Sequence, residues 1–146
     1  MIALIQRVQH ARVEVSGEIV GAIGPGLLAL IGVQRNDGEI EAMRLLDRML
    51  GYRVFDDEHG RMNRSVTDTV GGLLLVPQFT LAADTDKGTR PSFSPAADPG
   101  LARRLFEALL HAARARHRGP VASGRFGAEM IVHLANHGPV TFWLET

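Results

Sequence analysis

The chain reads as a single mixed α/β domain, with curved, mostly antiparallel or mixed β-sheet layers (β/β/α, barrel-like) and two main helices against them. Three observations predict this. The opening third is a run of short apolar or alternating segments broken by turn residues, the pattern of consecutive strands. Two later segments repeat apolar residues at helical spacing. The last third returns to strand-like runs. At 146 residues the chain is long enough for a core of its own, and no linker, repeat or low-complexity stretch divides residues 1–146.

Met1–Val8 reads as a strand, and Ala11–Val15 alternates with the period of a half-buried one. Ser16-Gly17 turns the chain so that Glu18–Ile23 returns antiparallel. Gly24-Pro25-Gly26 reverses it again into Leu27–Val33, an apolar strand buried on both faces. The opening third is thus expected to hold four strands. Asn36 or Asp37 suits the cap of a helix over Glu39–Leu50, whose buried stripe is Ile40, Met43, Leu46 with Leu45, and Leu50 with Met49. Gly51 suits its stop. Tyr52–Phe55 reads as a short strand, and Asp56–Gly60 as an exposed acidic loop without EF-hand spacing.

Gly71-Gly72 opens Leu73–Val76, a second strand buried on both faces, which delivers the chain into Pro77-Gln78-Phe79-Thr80-Leu81. The irregular segment 84–93 that follows is placed where binding loops are common. Asp98-Pro99 caps and starts the second helix, with Leu101, Leu105, Leu109 and Ala112 on its buried stripe and Gly119-Pro120 closing it. Val121–Ser123, Glu129–Ala135 and Val140–Leu144 read as strands. On local grounds, Gly138-Pro139 between the last two is a turn.

Composition excludes several classes. With no cysteine, disulfides and thiol chemistry are impossible, which fits a reducing cytosol. No metal site is expected: His133 and His137 have HxxxH spacing, which brings two rings together only on a helix. Residues Ile19–Val33 carry no charge, but they are too few to span a bilayer and are broken by Gly24-Pro25-Gly26. No basic leader precedes them, so a leaderless soluble protein is expected. The formal net charge is zero, which gives no global attraction to nucleic acid. Lys87 is the only lysine among 16 basic side chains. Arg103, Arg104, Arg114, Arg116, His117 and Arg118 lie on or just past the second helix. A solvated helix face explains them most simply, and an RNA-binding face is the alternative.

No conventional catalytic group stands out. Thr80 has neither a histidine nor an acid nearby in sequence, and GxSxG, Walker and HExxH patterns are absent. What remains is backbone chemistry. A strand ending in Gln78-Phe79-Thr80 can aim successive N–H groups at an oxyanion. At Gly138-Pro139 the proline has no N–H, which leaves the flanking carbonyls free to accept from a ligand ammonium.

Five blocks in order carry a family resemblance. They are Ile5-Gln6-Arg7-Val8 with Val20–Leu28, Gln78-Phe79-Thr80-Leu81, Lys87–Phe93, Gly124-Arg125-Phe126-Gly127-Ala128-Glu129-Met130, and Asn136-His137-Gly138-Pro139-Val140-Thr141. Over almost its whole length the chain resembles the D-aminoacyl-tRNA deacylases. The resemblance implies hydrolysis of the ester between a D-amino acid and the terminal ribose of tRNA. It implies a homodimer with active sites at the subunit interface, in which a cis Gly138-Pro139 pair reaches into the partner's pocket. There its carbonyls hold the amino group and its bulk rejects an L side chain, with Asn136 beside it. Glycine would pass, making Gly-tRNA(Ala) a second substrate.

The same resemblance has Gln78, Phe79 and Thr80 hold the scissile carbonyl through main-chain N–H groups, while Phe126 and Met130 wall the pocket. The Thr80 hydroxyl is one candidate nucleophile, and water helped by the substrate's 2′-OH is the other. It implies a cytoplasmic enzyme with aminoacyl-tRNA as partner, no cofactor, no membrane and no DNA. Two positions depart from the family pattern. Pro77 stands where serine is common, and His137 where aspartate is. Pro77 offers neither a hydroxyl nor an N–H, which favours the later amides. His137 reads as a surface turn residue. The rival functions are a non-catalytic RNA-binding module and a small-ester hydrolase with a Thr80 nucleophile.

Overall fold

A computed structural model describes all residues, Met1–Thr146. Its spine is one long strand, β1 (Ile2–Val15). β2 (Glu18–Ile23) pairs antiparallel with the second half of β1, and β3 (Gly26–Gly32) with the first half. α1 (Glu39–Gly51) follows, then a small hairpin of β4 (Phe55–Asp56) and β5 (Met62–Arg64), then the one-turn helix α2 (Val66–Thr69). β6 (Gly72–Pro77) adds parallel to β3 and runs into a 3-10 turn over Phe79–Ala82. α3 (Pro99–Arg116) leads to β7 (Val121–Ser123), parallel to β6. β8 (Ile131–Glu145) returns along the whole of β1, antiparallel.

The result is one domain with a mixed six-stranded sheet, curled until its ends nearly meet. Closure occurs between β2 and β7, where a Cβ added to Gly21 would sit 2.5 Å from the Ser123 carbonyl oxygen. Only a residue without a side chain permits that approach. Residues alternate across the curled sheet. Leu27, Ala29, Ile31, Leu73 and Leu75 face outward into a core shared with α1 and α3. Val8, Ala11, Val13, Leu28, Leu74 and Val76 fill the interior. β3 and β6 are therefore buried on both faces, as their unbroken apolar runs predict.

Several local expectations are corrected. Met1–Val8 and Ala11–Val15 are one strand, so the opening third holds three strands and not four; the break at Gln9-His10 is absorbed as a register shift against β8. Neither Asn36 nor Asp37 caps α1. Gly38 does, with Glu41 Oε2 accepting from its N–H at 2.9 Å. Asp37 is drawn instead to the buried terminal ammonium of Met1 (2.6 Å) and to the Gln34 amide (2.6 Å).

Both helices bury a stripe displaced from the expected one. α1 packs Ala42, Leu45, Leu46, Met49 and Leu50 inward and leaves Ile40 65 % exposed. α3 buries Ala102, Leu105, Phe106, Leu109 and Ala113, with Leu101 and Ala112 only half-buried. The alanines mark the true contact line, because small side chains let packed helices approach. Tyr52 ends α1, and pairing begins only at Phe55. Glu129-Met130 lies outside the sheet, and the two expected C-terminal strands are the single β8. Asp98 caps α3 as expected, accepting from Gly100 and Leu101 N–H, both at 3.0 Å.

Gly21→Ala should cost about 1–3 kcal/mol, because closure leaves no room for the methyl. Urea unfolding of the two forms checks this, and equal midpoints would show that β2 and β7 can separate freely.

Candidate active site

The expected turn at Gly138-Pro139 is a bulge inside β8. Gln6 pairs with Thr141 and Val8 with Asn136, so Arg7 alone faces the four residues His137–Val140. A ladder cannot satisfy four residues from one. Two side chains take over. Arg7 is almost fully buried; its Nε donates to the His137 carbonyl (3.1 Å), and its Nη1 to the Val54 carbonyl (2.7 Å) and Asp56 Oδ1 (3.2 Å). Asn136 closes the base of the bulge, its Oδ1 accepting from Val140 N–H (3.1 Å) and its Nδ2 donating to Thr141 Oγ1 (2.8 Å).

Gly138 has a φ of +131°, a region L residues rarely enter. A Cβ there would lie 2.6 Å from Val140 Cγ2 and 3.2 Å from Arg7 Nη2. The Gly138–Pro139 peptide is cis, and both residues are exposed on the crest of the bulge.

The second component lies at the end of β6. Gln78 N–H donates to the Ile31 carbonyl at 2.7 Å, completing the parallel ladder. The chain then tightens into the 3-10 turn, with Leu81 and Ala83 N–H bonding back to Gln78 and Thr80 carbonyls. Phe79 and Thr80 occupy the open end of that turn, where N–H groups have no intrahelical partner. Thr80 Oγ1 accepts from Gln78 Nε2 at 2.5 Å.

Beside the turn is a mainly apolar cavity of about 420 Å³, walled by Pro77, Phe79, Ala97, Pro99, Ala102, Phe126 and Met130. Phe79 is backed by Phe93, with ring centroids 5.1 Å apart. At the rim the Arg103 guanidinium lies 5.1 Å from the centre of the Phe126 ring, a cation–π contact.

Glu129 is the one ionisable side chain on the cavity wall. The carboxylates with a resolved shift are all held below their ordinary range by hydrogen bonds close at hand: Glu14 by Arg12, Glu41 by its own and the Gly38 N–H, Asp57 by the Arg61 N–H, and Asp68 by the Ser65 N–H. A carboxyl recruited as a general acid near neutrality would be raised instead. No group of three or more His, Cys, Asp or Glu could hold a metal.

Of the residues singled out in the sequence, Phe79, Phe126 and Met130 meet around one cavity, with Gln78 and Thr80 adjoining through the turn. Asn136, Gly138 and Pro139 are not among its walls in the single chain. The sequence placed Arg7 only within a family block and Arg103 only within the arginine cluster of the second helix, and it gave neither a place at this site.

A family model described as D-Tyr-tRNA(Tyr) deacylase matches residues 4–145. A D-aminoacyl-tRNA deacylase of Thioalkalivibrio sulfidiphilus is 68 % identical over 99 % of this chain and 97 % of its own length. One from Alkalilimnicola ehrlichii is 68 % identical over 99 % and 96 %. Among solved structures, the c-Myc DNA Unwinding Element Binding Protein superposes with a TM-score of 0.95 at 38 % identity, covering 100 % of this chain and 99 % of that one. A probable eukaryotic D-amino acid tRNA deacylase superposes at 0.86 with 16 % identity, covering 99 % and 98 %, a likeness of fold alone.

Arg7→Met keeps the stem but removes every donor to the bulge. It should lower stability by about 1.5–3 kcal/mol, the scale of hydrogen bonds to a charged group, and speed hydrogen exchange at Gly138 and Val140. Native exchange rates at those amides would show that the bulge holds without Arg7.

Proposed function

The chain belongs to the D-Tyr-tRNA(Tyr) deacylase family, and on that premise we propose that it hydrolyses the ester joining a D-amino acid to the terminal ribose of tRNA, releasing both. One observation carries the mechanism: the open amides of Phe79 and Thr80 sit beside a mainly apolar cavity whose one ionisable wall residue is Glu129. Water attacks the ester carbonyl, and the two N–H groups receive the developing oxyanion. Each such donor is worth about 2.7–4 kcal/mol of transition-state stabilisation. Collapse of the tetrahedral intermediate expels the ribose oxygen, which takes up a proton. The neighbouring 2′-OH of the substrate is placed to orient the water and relay that proton.

Thr80 is the alternative nucleophile. Its hydroxyl is engaged with the Gln78 amide, which cannot serve as a base. This supports water in its place.

Gly138 and Pro139 act as the chirality filter through their main-chain carbonyls, delivered to the pocket of a second subunit, with Asn136 fixing the bulge. Their absence from the cavity walls of their own chain supports sharing between subunits. So does β8 itself, which exposes Ile131, Leu134, Phe142 and Trp143 flanking the bulge, an apolar surface that a second copy of the chain would cover. Glycine has no side chain for the filter to reject, so Gly-tRNA(Ala) is a second substrate. The enzyme works without a cofactor in the cytoplasm, where aminoacyl-tRNA is made. No helix is long and apolar enough to cross a membrane.

Incubation with D-Tyr-tRNA, L-Tyr-tRNA and D-tyrosine methyl ester, which lacks the ribose 2′-OH, separates this reading from its rivals. Release of tyrosine from D-Tyr-tRNA alone is expected. Binding without release would mark a nucleic-acid-binding module, and turnover of the small ester without need of tRNA would mark a threonine esterase. Thr80→Ala, which keeps the amide, should stay within about tenfold of the native rate. A loss of about 10³-fold or more in a folded protein would restore the hydroxyl as nucleophile.

Gly138→Ala forces a Cβ against Val140 and Arg7, so it should slow D-Tyr-tRNA turnover or admit L-Tyr-tRNA. An unchanged D-to-L ratio at an unchanged rate would remove Gly138 from the filter.

A further inference from the structure

We propose that the exposed face of α3 is the surface that tracks the phosphates of the tRNA acceptor strand away from the pocket; this rests on the deacylase reading above. The start of α3 is part of the cavity, since Pro99 and Ala102 line it. Arg103 stands at its rim over Phe126. A polyanion whose 3′ end occupies the cavity must leave past this point.

The helix is built to receive it. At 100° per residue, Arg103, Arg104 and Arg114 fall within a sector of about 100°, opposite the buried line of Ala102, Leu105, Leu109 and Ala113. All three are exposed, and Arg118 extends the row beyond the last turn. Arg104 and Arg114 are about 15 Å apart along the axis, a distance that spans several phosphates of one strand. Glu107, the only acid on the helix, falls within the same sector, and the arginines outnumber it there three to one. In a chain of zero net charge, so uneven a face is a local electrostatic footprint. Arg116 is different: it projects toward α1 and is paired with Asp47, so its charge is already answered. Arginine also suits the role, because its planar fork grips phosphate bidentately.

The test is the salt dependence of tRNA binding, measured by fluorescence anisotropy on the full chain with deacylated tRNA between 50 and 200 mM KCl. The native slope of log affinity against log salt should fall by about 0.7–0.9 for each phosphate that is no longer neutralised. Arg104→Gln/Arg114→Gln/Arg118→Gln should lower it by about 2 or more and weaken binding tenfold or more at 100 mM. Arg116→Gln, which removes one charge from the same helix, should leave the slope in place. With D-Tyr-tRNA the triple variant should lose kcat/KM in proportion, and that loss should be absent with the 3′-D-tyrosyl ester of adenosine, which has no phosphates. A native slope in the triple variant, or an equal drop in Arg116→Gln, would overturn the surface assignment. If the native protein hydrolysed neither ester, the deacylase reading would fail, while the binding slopes would still decide whether α3 meets the phosphates.

Discussion

The site depends on one side chain answering a mismatch of four residues against one. Between Gln6–Thr141 and Val8–Asn136 the β1–β8 ladder loses its register, and only Arg7 faces His137–Val140. Backbone left unpaired by the ladder needs hydrogen bonds from another source. The Arg7 guanidinium supplies them in three directions at once, to His137, Val54 and Asp56. Lysine could not reproduce this, because its ammonium is a single point of charge without the rigid fork. Val54 and Asp56 belong to the stretch after α1, so the first strand, the small hairpin and the bulge are fastened at one point. Gly138 packs against the same guanidinium, so the crest of the bulge is positioned by the group that anchors its base.

Much of this fold is legible locally. The unbroken apolar runs at Leu27–Val33 and Leu73–Val76 announce strands covered on both faces, and they divide their side chains between interior and helix layer residue by residue. Asp98-Pro99 announces its helix because capping and the first-turn proline are local effects. The features that local sequence misplaces share one cause. Gly138-Pro139 is locally indistinguishable from a turn, and only the ladder to β1 makes β8 continuous. The partners of Arg7 lie 130, 47 and 49 residues away, beyond any window of periodicity. Ile40 looks like a core residue by composition, yet α1 rotates to place Ala42 at the contact. Likewise Phe79, Phe126 and Met130 belong to one cavity because the sheet curls, which their spacing does not encode.

The distribution of the core makes the end of β6 a suitable mount for the proposed chemistry. Leu73 and Leu75 lock one face of that strand against the helices, while Leu74 and Val76 lock the other into the interior. A strand held on both faces is a stiff mount, and amides projecting from its end need no further support. Oxyanion stabilisation depends on donors fixed in advance of the reaction, so a doubly buried strand serves better than a mobile loop.

Pro77 fits the same arrangement. It pairs in register with Ile31 on the parallel ladder, although it has no N–H to give. The Ile31 carbonyl is satisfied one residue later by Gln78, so the ladder ends cleanly and the turn begins with Phe79 and Thr80 unspent. A serine at position 77 would bring a hydroxyl and an amide N–H. The proline therefore removes no group that the hydrolysis, as proposed, requires, and it stiffens the step into the turn by fixing φ. A site made of main-chain groups can absorb such a change, because what it needs from each side chain is a backbone path and not a functional group.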